Sequence, residues 1–299
     1  MSEGSSPRFG RMIPAMVTPF DDGMEVDVDR AVALACNLVE HGADSLVVCA
    51  TTGEGPTIEH DKKIELFTSI SKAVHPKAQV IANVGSNNTA ESVAFAKEVS
   101  HTGVDAVMAV DPYYNKPPQE GLYQHFMTIA NAVDLPVILY NIPGRCGVNL
   151  LPETTLRLAH DCKNIVAVKE ASGDLAQIKW IIDGAPEGFC VYSGDDAMTY
   201  DVMRLGGAGV ITTTGNVAPA QMKELVSLCA CGNFDAARER HEALLPLMKQ
   251  LFITANPILI KKALAIAGFS VGGLRLPLIE ATPKQSADLE RVMRQVGIV

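Results

Sequence analysis

The chain reads as an α/β protein: a (β/α)₈ barrel of the TIM type with a C-terminal helical appendage. Three observations predict this. Eight short apolar, β-branched runs recur through the first two thirds of the sequence. Most of them lack in/out alternation, as strands buried on both faces of a parallel sheet do. Stretches of helical period separate them, so that strand and helix alternate as βαβ units.

In order, the strand runs are Met12–Thr18, Asp44–Ala50, Ala78–Val84, Asp105–Val110, Pro136–Tyr140, Ile165–Lys169, Phe189–Ser193 and Gly209–Thr213. The helical stretch Val28–His41 sets Ala31, Leu34, Ala35 and Leu38 on one stripe. Lys62–Val74, Ala90–Thr102, Glu120–Val133, Pro152–Asp161, Asp174–Gly184 and Asp196–Leu205 follow. Eight strands with helices between them favour a closed barrel; a doubly wound open sheet is the competing reading.

After the eighth run the alternation stops. Pro219–Cys231 continues as a helix. Asn233 is placed to N-cap the next, Phe234–Phe252, which Pro246 should kink. Asn256-Pro257 reads as N-cap plus first residue of a third helix, and Thr282-Pro283 starts a fourth that ends before Gly297. No Pro/Gly/Ser linker intervenes. The expected division is a barrel over residues 1–225 and a packed helical region over 226–299.

Composition narrows the function. The chain has 299 residues, 47% of them hydrophobic and 20% charged, as in ordinary globular proteins. A net charge of -9 argues against nucleic acid as a partner but not against a small anionic substrate. The seven cysteines are scattered and odd in number, which fits free thiols in a reducing compartment. The histidines form no zinc-binding spacing, so no metal is expected. Met1 to Arg11 lacks an apolar signal-peptide core, and no membrane span is visible, so a cytoplasmic location is expected.

Active sites of such barrels lie at the C-terminal ends of the strands. Hydroxyls, one lysine and one arginine gather there, with no phosphate-cradling GxGxxG. Lys169 ends an apolar run, so its stem begins inside the barrel. An amine attacks a carbonyl only when neutral, and desolvation lowers its pKa toward that state. A lysine snorkelling out of a strand end is the plain alternative. Thr51, Thr52, Tyr114 and Tyr140 on the same rim turn the reading to a lysine Schiff base. Tyr140 ends the neighbouring strand and can exchange protons with a carbinolamine, unless it only ties down a loop. Thr51 and Thr52 could be helix caps, although two adjacent hydroxyls point different ways. Tyr113-Tyr114 points to a subunit contact. Arg145, after the Pro143-Gly144 turn, suits a substrate carboxylate, a surface ion pair being the default elsewhere. Asp195-Asp196 reads as a helix cap in preference to metal ligands.

At these residues the chain resembles the dihydrodipicolinate synthase family of the pyruvate-dependent aldolase/lyase superfamily, from about Arg11 to the C-terminus. The resemblance rests on Thr51-Thr52-Gly53-Glu54, Asp111-Pro112-Tyr113-Tyr114-Asn115-Lys116-Pro117, Tyr140-Asn141-Ile142-Pro143-Gly144-Arg145, Val168-Lys169-Glu170-Ala171 and Ser193-Gly194-Asp195-Asp196. It implies a Schiff base between Lys169 and pyruvate, and a proton relay of Tyr140, Thr51 and Tyr114, the last contributed across a dimer interface. It implies that Thr52 and the backbone at Ile211 hold the pyruvate carboxylate, and that Arg145 receives the carboxylate of L-aspartate 4-semialdehyde. The product would be 4-hydroxy-tetrahydrodipicolinate, the committed step toward diaminopimelate and lysine. No metal or organic cofactor is implied, and the assembly would be a homodimer or homotetramer.

Two departures from the family pattern stand out. Ala50 replaces a usual glycine. In the lysine-feedback pocket His60, Asn87, Glu91 and Tyr113 match the family, Gly55 and Pro56 replace residues often seen as Ser and Ala, and Lys63 stands where inhibited members often have a second histidine. A cation there would sit badly beside the ammonium of bound lysine, so weak or absent inhibition is expected. Other superfamily reactions, on N-acetylneuraminate or keto-deoxy sugar acids, share the barrel, lysine and tyrosine; Arg145 and the Thr51-Thr52 pair argue against the sialate lyase. A non-catalytic barrel subunit would have lost the amine or the relay, and here every position is filled.

Overall fold

A computed structural model describes residues 7–299. Residues 1–6, which begin the segment expected not to be a signal peptide, lie outside the described residues. The strands are β1 (Met12–Pro14), β2 (Ser45–Val48), β3 (Gln79–Asn83), β4 (Ala106–Val110), β5 (Val137–Asn141), β6 (Ile165–Glu170), β7 (Cys190–Ser193) and β8 (Gly209–Thr212). Each falls on one of the eight apolar runs. Neighbours pair in parallel from β2 through to β8, and β8 pairs with β1. A bridge between Ala15 and Val47, with Met16 N–H donating to Val47 O at 2.9 Å, brings β1 against β2. The sheet is therefore a barrel, and the open-sheet alternative fails.

The helices are α1 (Val28–Glu40), α2 (His60–Val74), α3 (Thr89–Val99), α4 (Gln119–Ala130), α5 (Pro143–Cys146), α6 (Pro152–Asp161), α7 (Leu175–Gly184), α8 (Thr199–Arg204), α9 (Pro219–Ala230), α10 (Phe234–Gln250), α11 (Ile258–Ile266) and α12 (Pro283–Gln295). In α1 the stripe Ala31, Leu34, Ala35 and Leu38 is fully buried. Asn233 caps α10, which runs on through Pro246. Thr282 and Gln285 form a reciprocal capping box at α12. One expected cap is corrected: Pro257, not Asn256, occupies the N-cap position of α11. The Asn256 amide is engaged elsewhere, as described below.

The core has two parts. Inside the barrel, Ile13, Val47, Ile81, Met108, Ile138, Ala167 and Ile211 pack with Tyr140 and Tyr192. Between barrel and helices lies a larger cluster, and Leu244, Leu247, Met248, Leu259, Ile260, Leu289 and Met293 of the last three helices belong to it. The C-terminal helices thus share the core of the barrel. All seven cysteines are free. Among the described residues no helix is long and apolar enough to cross a membrane.

Candidate active site

Pairing of β5 with β6 sets Tyr140 directly beside Lys169. The Lys169 Nζ lies 4.2 Å from the centre of the Tyr140 ring. Alternation along β6 turns Lys169 toward the barrel axis, onto the dry interior cluster, and leaves it 5% exposed. Burial lowers its pKa from 10.5 to about 8; the Asp196 carboxylate opposes this and Arg145 adds to it. At neutral pH roughly a tenth of such amines is uncharged, far more than at an ordinary lysine. Burial pushes the Tyr140 phenol the other way, up to about 12, against the pull of Arg145 and the Thr51 hydroxyl. Tyr140 therefore keeps its proton and can donate it. Gly194 makes room for the lysine stem: a Cβ there would stand 3.1 Å from Lys169 Cγ and 2.7 Å from Ala171 Cβ.

A second buried polar group lies at the ends of β2 and β8. Thr52 Oγ1 and Thr213 Oγ1 are 3.3 Å apart, and both are buried. Asn256 Nδ2 donates to Thr52 Oγ1 at 2.8 Å, from the segment leading into α11. Ile211, one residue before the end of β8, is buried in the interior cluster with Tyr140. Asp195 caps the turn that follows, accepting from Ala197 N at 2.9 Å. Asp196 does not cap, contrary to expectation. Its Oδ2 accepts from Thr214 N at 2.7 Å, Thr213 N at 3.1 Å and Thr214 Oγ1 at 2.6 Å, tying the end of β7 to the end of β8.

A cavity of about 800 Å³ is lined by Thr51, Tyr140, Arg145 and Asn256; Lys169 and Thr52 lie next to these lining residues, against Tyr140 and Asn256 respectively, and do not line it themselves. Arg145 sits exposed in α5, at the mouth. The same cavity extends to His60, Lys63, Glu91 and Tyr113. His60 Nε2 lies 2.8 Å from Glu98 Oε2, and the Lys63 ammonium lies 5.7 Å from the centre of the Phe95 ring. Partial burial lowers the Lys63 pKa. Asn87 holds the tyrosine loop through its carbonyl, which accepts from Asn115 Nδ2 at 2.9 Å. Tyr114 stands apart. It is 88% exposed, with φ +76°, and does not reach the cavity of its own chain.

Residues 8–296 match the Dihydrodipicolinate synthetase family. The chain belongs to this family. Its relatives include a 4-hydroxy-tetrahydrodipicolinate synthase of Symbiobacterium thermophilum, 49% identical over 293 residues, a span covering 98% of this chain and all of the relative. DHDPS from Cyanidioschyzon merolae, solved with lysine bound, superposes with a TM-score of 0.95 at 43% identity, covering 97% of this chain and 99% of that one. The dihydrodipicolinate synthase of Thermotoga maritima also gives 0.95, at 42% identity, covering 97% of this chain and all of its own.

Within this dihydrodipicolinate synthetase family member, the expected candidates Lys169 and Tyr140 stand side by side, Thr51, Tyr140 and Arg145 line the cavity, and Thr52 bonds to Asn256. Local pattern missed Asn256 and the contact of Thr213 with Thr52, and it took Asp196 for part of a helix cap. The sole local signal at Asn256 was Asn-Pro, which also reads as a helix start. Nothing near it in sequence records a partner 204 residues away.

Proposed function

We propose that this chain condenses pyruvate with L-aspartate 4-semialdehyde to give 4-hydroxy-tetrahydrodipicolinate, with Lys169 as the amine. The neutral Nζ adds to the keto carbon of pyruvate, and the carbinolamine loses water to an imine. Loss of a methyl proton gives an enamine, whose carbon attacks the aldehyde. Ring closure by the amino group of the second substrate then displaces Lys169. Tyr140 passes protons to and from the carbinolamine oxygen, with Thr51 as its hydroxyl partner. Thr52 and the backbone at Ile211 hold the pyruvate carboxylate. Arg145 at the mouth takes the carboxylate of the aldehyde.

The single observation that carries this reading is the buried Lys169 amine, its pKa lowered to about 8, against the Tyr140 ring. Borohydride reduction with pyruvate, followed by peptide mapping, tests it. A covalent adduct on Lys169, lost in Lys169→Ala, is expected; no adduct refutes the chemistry. Assay with N-acetylneuraminate or keto-deoxygluconate in place of the aldehyde separates the other superfamily reactions.

The exposed Tyr114 favours a homodimer in which it completes the relay of its partner, alone or within a homotetramer. A cytoplasmic setting suits the free thiols. Lys63 in the extended cavity favours weak or absent inhibition by lysine.

A further inference from the structure

Two residues beyond Thr52, Glu54 is buried in a left-handed backbone conformation, φ +52°. An acid in that conformation persists only when its surroundings over-determine it. The surroundings come from the C-terminal region. Glu54 Oε1 lies 2.6 Å from Lys261 Nζ of α11, both side chains at most 3% exposed. Glu54 Oε2 accepts from the backbone N–H of Arg275 at 3.0 Å. Lys261 is itself fixed: it donates to Gly273 O at 2.7 Å and lies 4.0 Å from the centre of the Phe20 ring.

Net stability does not account for this arrangement. Removing two charges from water costs about what their attraction returns, and apolar residues of the same volume often do as well or better. What such a pair supplies is register. From the barrel side the loop is held at its glycines, where Thr18 Oγ1 donates to Gly53 O at 2.7 Å and Gly55 N donates to Ala50 O at 3.1 Å. Gly55 approaches so closely that a Cβ would stand 2.1 Å from Cys49 O. Among the described residues, the Glu54 side chain, between these points, is held by the C-terminal anchors named above.

We infer that Glu54 and Lys261 are positioning residues, a clamp from the C-terminal helices that sets the Thr51 and Thr52 hydroxyls against Tyr140 and the substrate. The clamp rests on the reaction proposed above. It makes the appendage part of the active site without touching substrate. Misplacing a reactive group by about 1 Å can cost up to about a hundredfold in rate, so losing the clamp should show in catalysis.

The test compares wild type with Glu54→Gln, Lys261→Met and the double variant. Each single change strands one buried charge and lowers the melting temperature; the double removes both. We expect the double to melt within a few degrees of wild type yet to trap pyruvate at Lys169 roughly tenfold more slowly. Its KM for pyruvate should rise while its KM for the aldehyde holds, a split that general loosening of the fold would not give. A double variant that traps pyruvate at the wild-type rate overturns the clamp. So does one that cannot fold, because the pair would then be holding the molecule and not the loop. Absence of any adduct in wild type sinks the reaction itself and the clamp with it, whereas a wild-type adduct with unaltered variants sinks the clamp alone.

Discussion

Lys169 carries a cost that can be measured. Its pKa is about 8 in the folded state against 10.5 as an ordinary lysine. Below pH 8 both states bind the proton, and the folded state bears the full desolvation penalty. Between pH 8 and 10.5 the unfolded state binds more protons, so the penalty fades as pH rises. Lys169→Met should therefore raise stability near pH 7, by up to roughly 3 kcal/mol before packing changes are counted. The gain should shrink steadily above pH 8 in denaturant melts followed against pH. The same pKa predicts that pyruvate trapping accelerates as pH rises through 8 and then levels. At Tyr140, substitution by Phe keeps the packing and removes the proton donor. A loss of about a hundredfold or more in kcat with little change in melting is expected. Arg145→Ala should damage use of the aldehyde more than pyruvate trapping; equal damage to both would undo its role. Lys169 and Tyr140 were legible because each ends an apolar run, and Arg145 because it follows a Pro-Gly turn; both are local properties. Asp196 was misread because a carboxylate after a strand caps a helix and staples a neighbouring strand by the same donor preference. Which of these it does depends on where β8 lies.

At the level of elements, the closing seam of the barrel depends on a side chain. Asn216 Oδ1 accepts from Val17 N at 3.2 Å, while its Nδ2 donates to Ala15 O at 2.8 Å and Thr213 O at 3.0 Å. It thereby joins the chain after β1 to the chain after β8, where the short β1 leaves backbone groups unpaired by the ladder. Asn216→Ala strands buried backbone groups, each costing about 1–3 kcal/mol. We expect a lower denaturation midpoint and faster amide exchange at Ala15–Val17; exchange unchanged there would show that water replaces the staple. The strands themselves were readable from apolar runs, because burial on both faces writes itself into consecutive residues. Helix bounds came within a few residues wherever a cap was present. The short α5 escaped notice, since four residues carry no period.

For the whole molecule, the homodimer proposed above turns on Tyr114. An 88% exposed tyrosine held at φ +76° is a costly surface feature for a monomer. Tyr114→Ala should weaken self-association in sedimentation velocity and lower kcat even at concentrations where the assembly persists. A fully active monomeric Tyr114→Ala would refute a shared relay. Lysine titration reads the other end of the cavity. With Lys63 present, lysine below millimolar concentrations should leave the rate unchanged, and Lys63→His should introduce inhibition; strong inhibition of the wild type would refute the charge argument.

The sequence by itself determined the eight strands, the helices between them, and the lysine and hydroxyls at the strand ends, because periodicity, caps and strand ends are written within a few neighbouring residues. Only the tertiary structure decided that Asn256 reaches Thr52, that Lys261 grips Glu54 and that Asp196 serves β8. Those meetings join residues far apart in the chain, and they are fixed by the twist and closure of the barrel and the docking of the last helices, which no local pattern encodes.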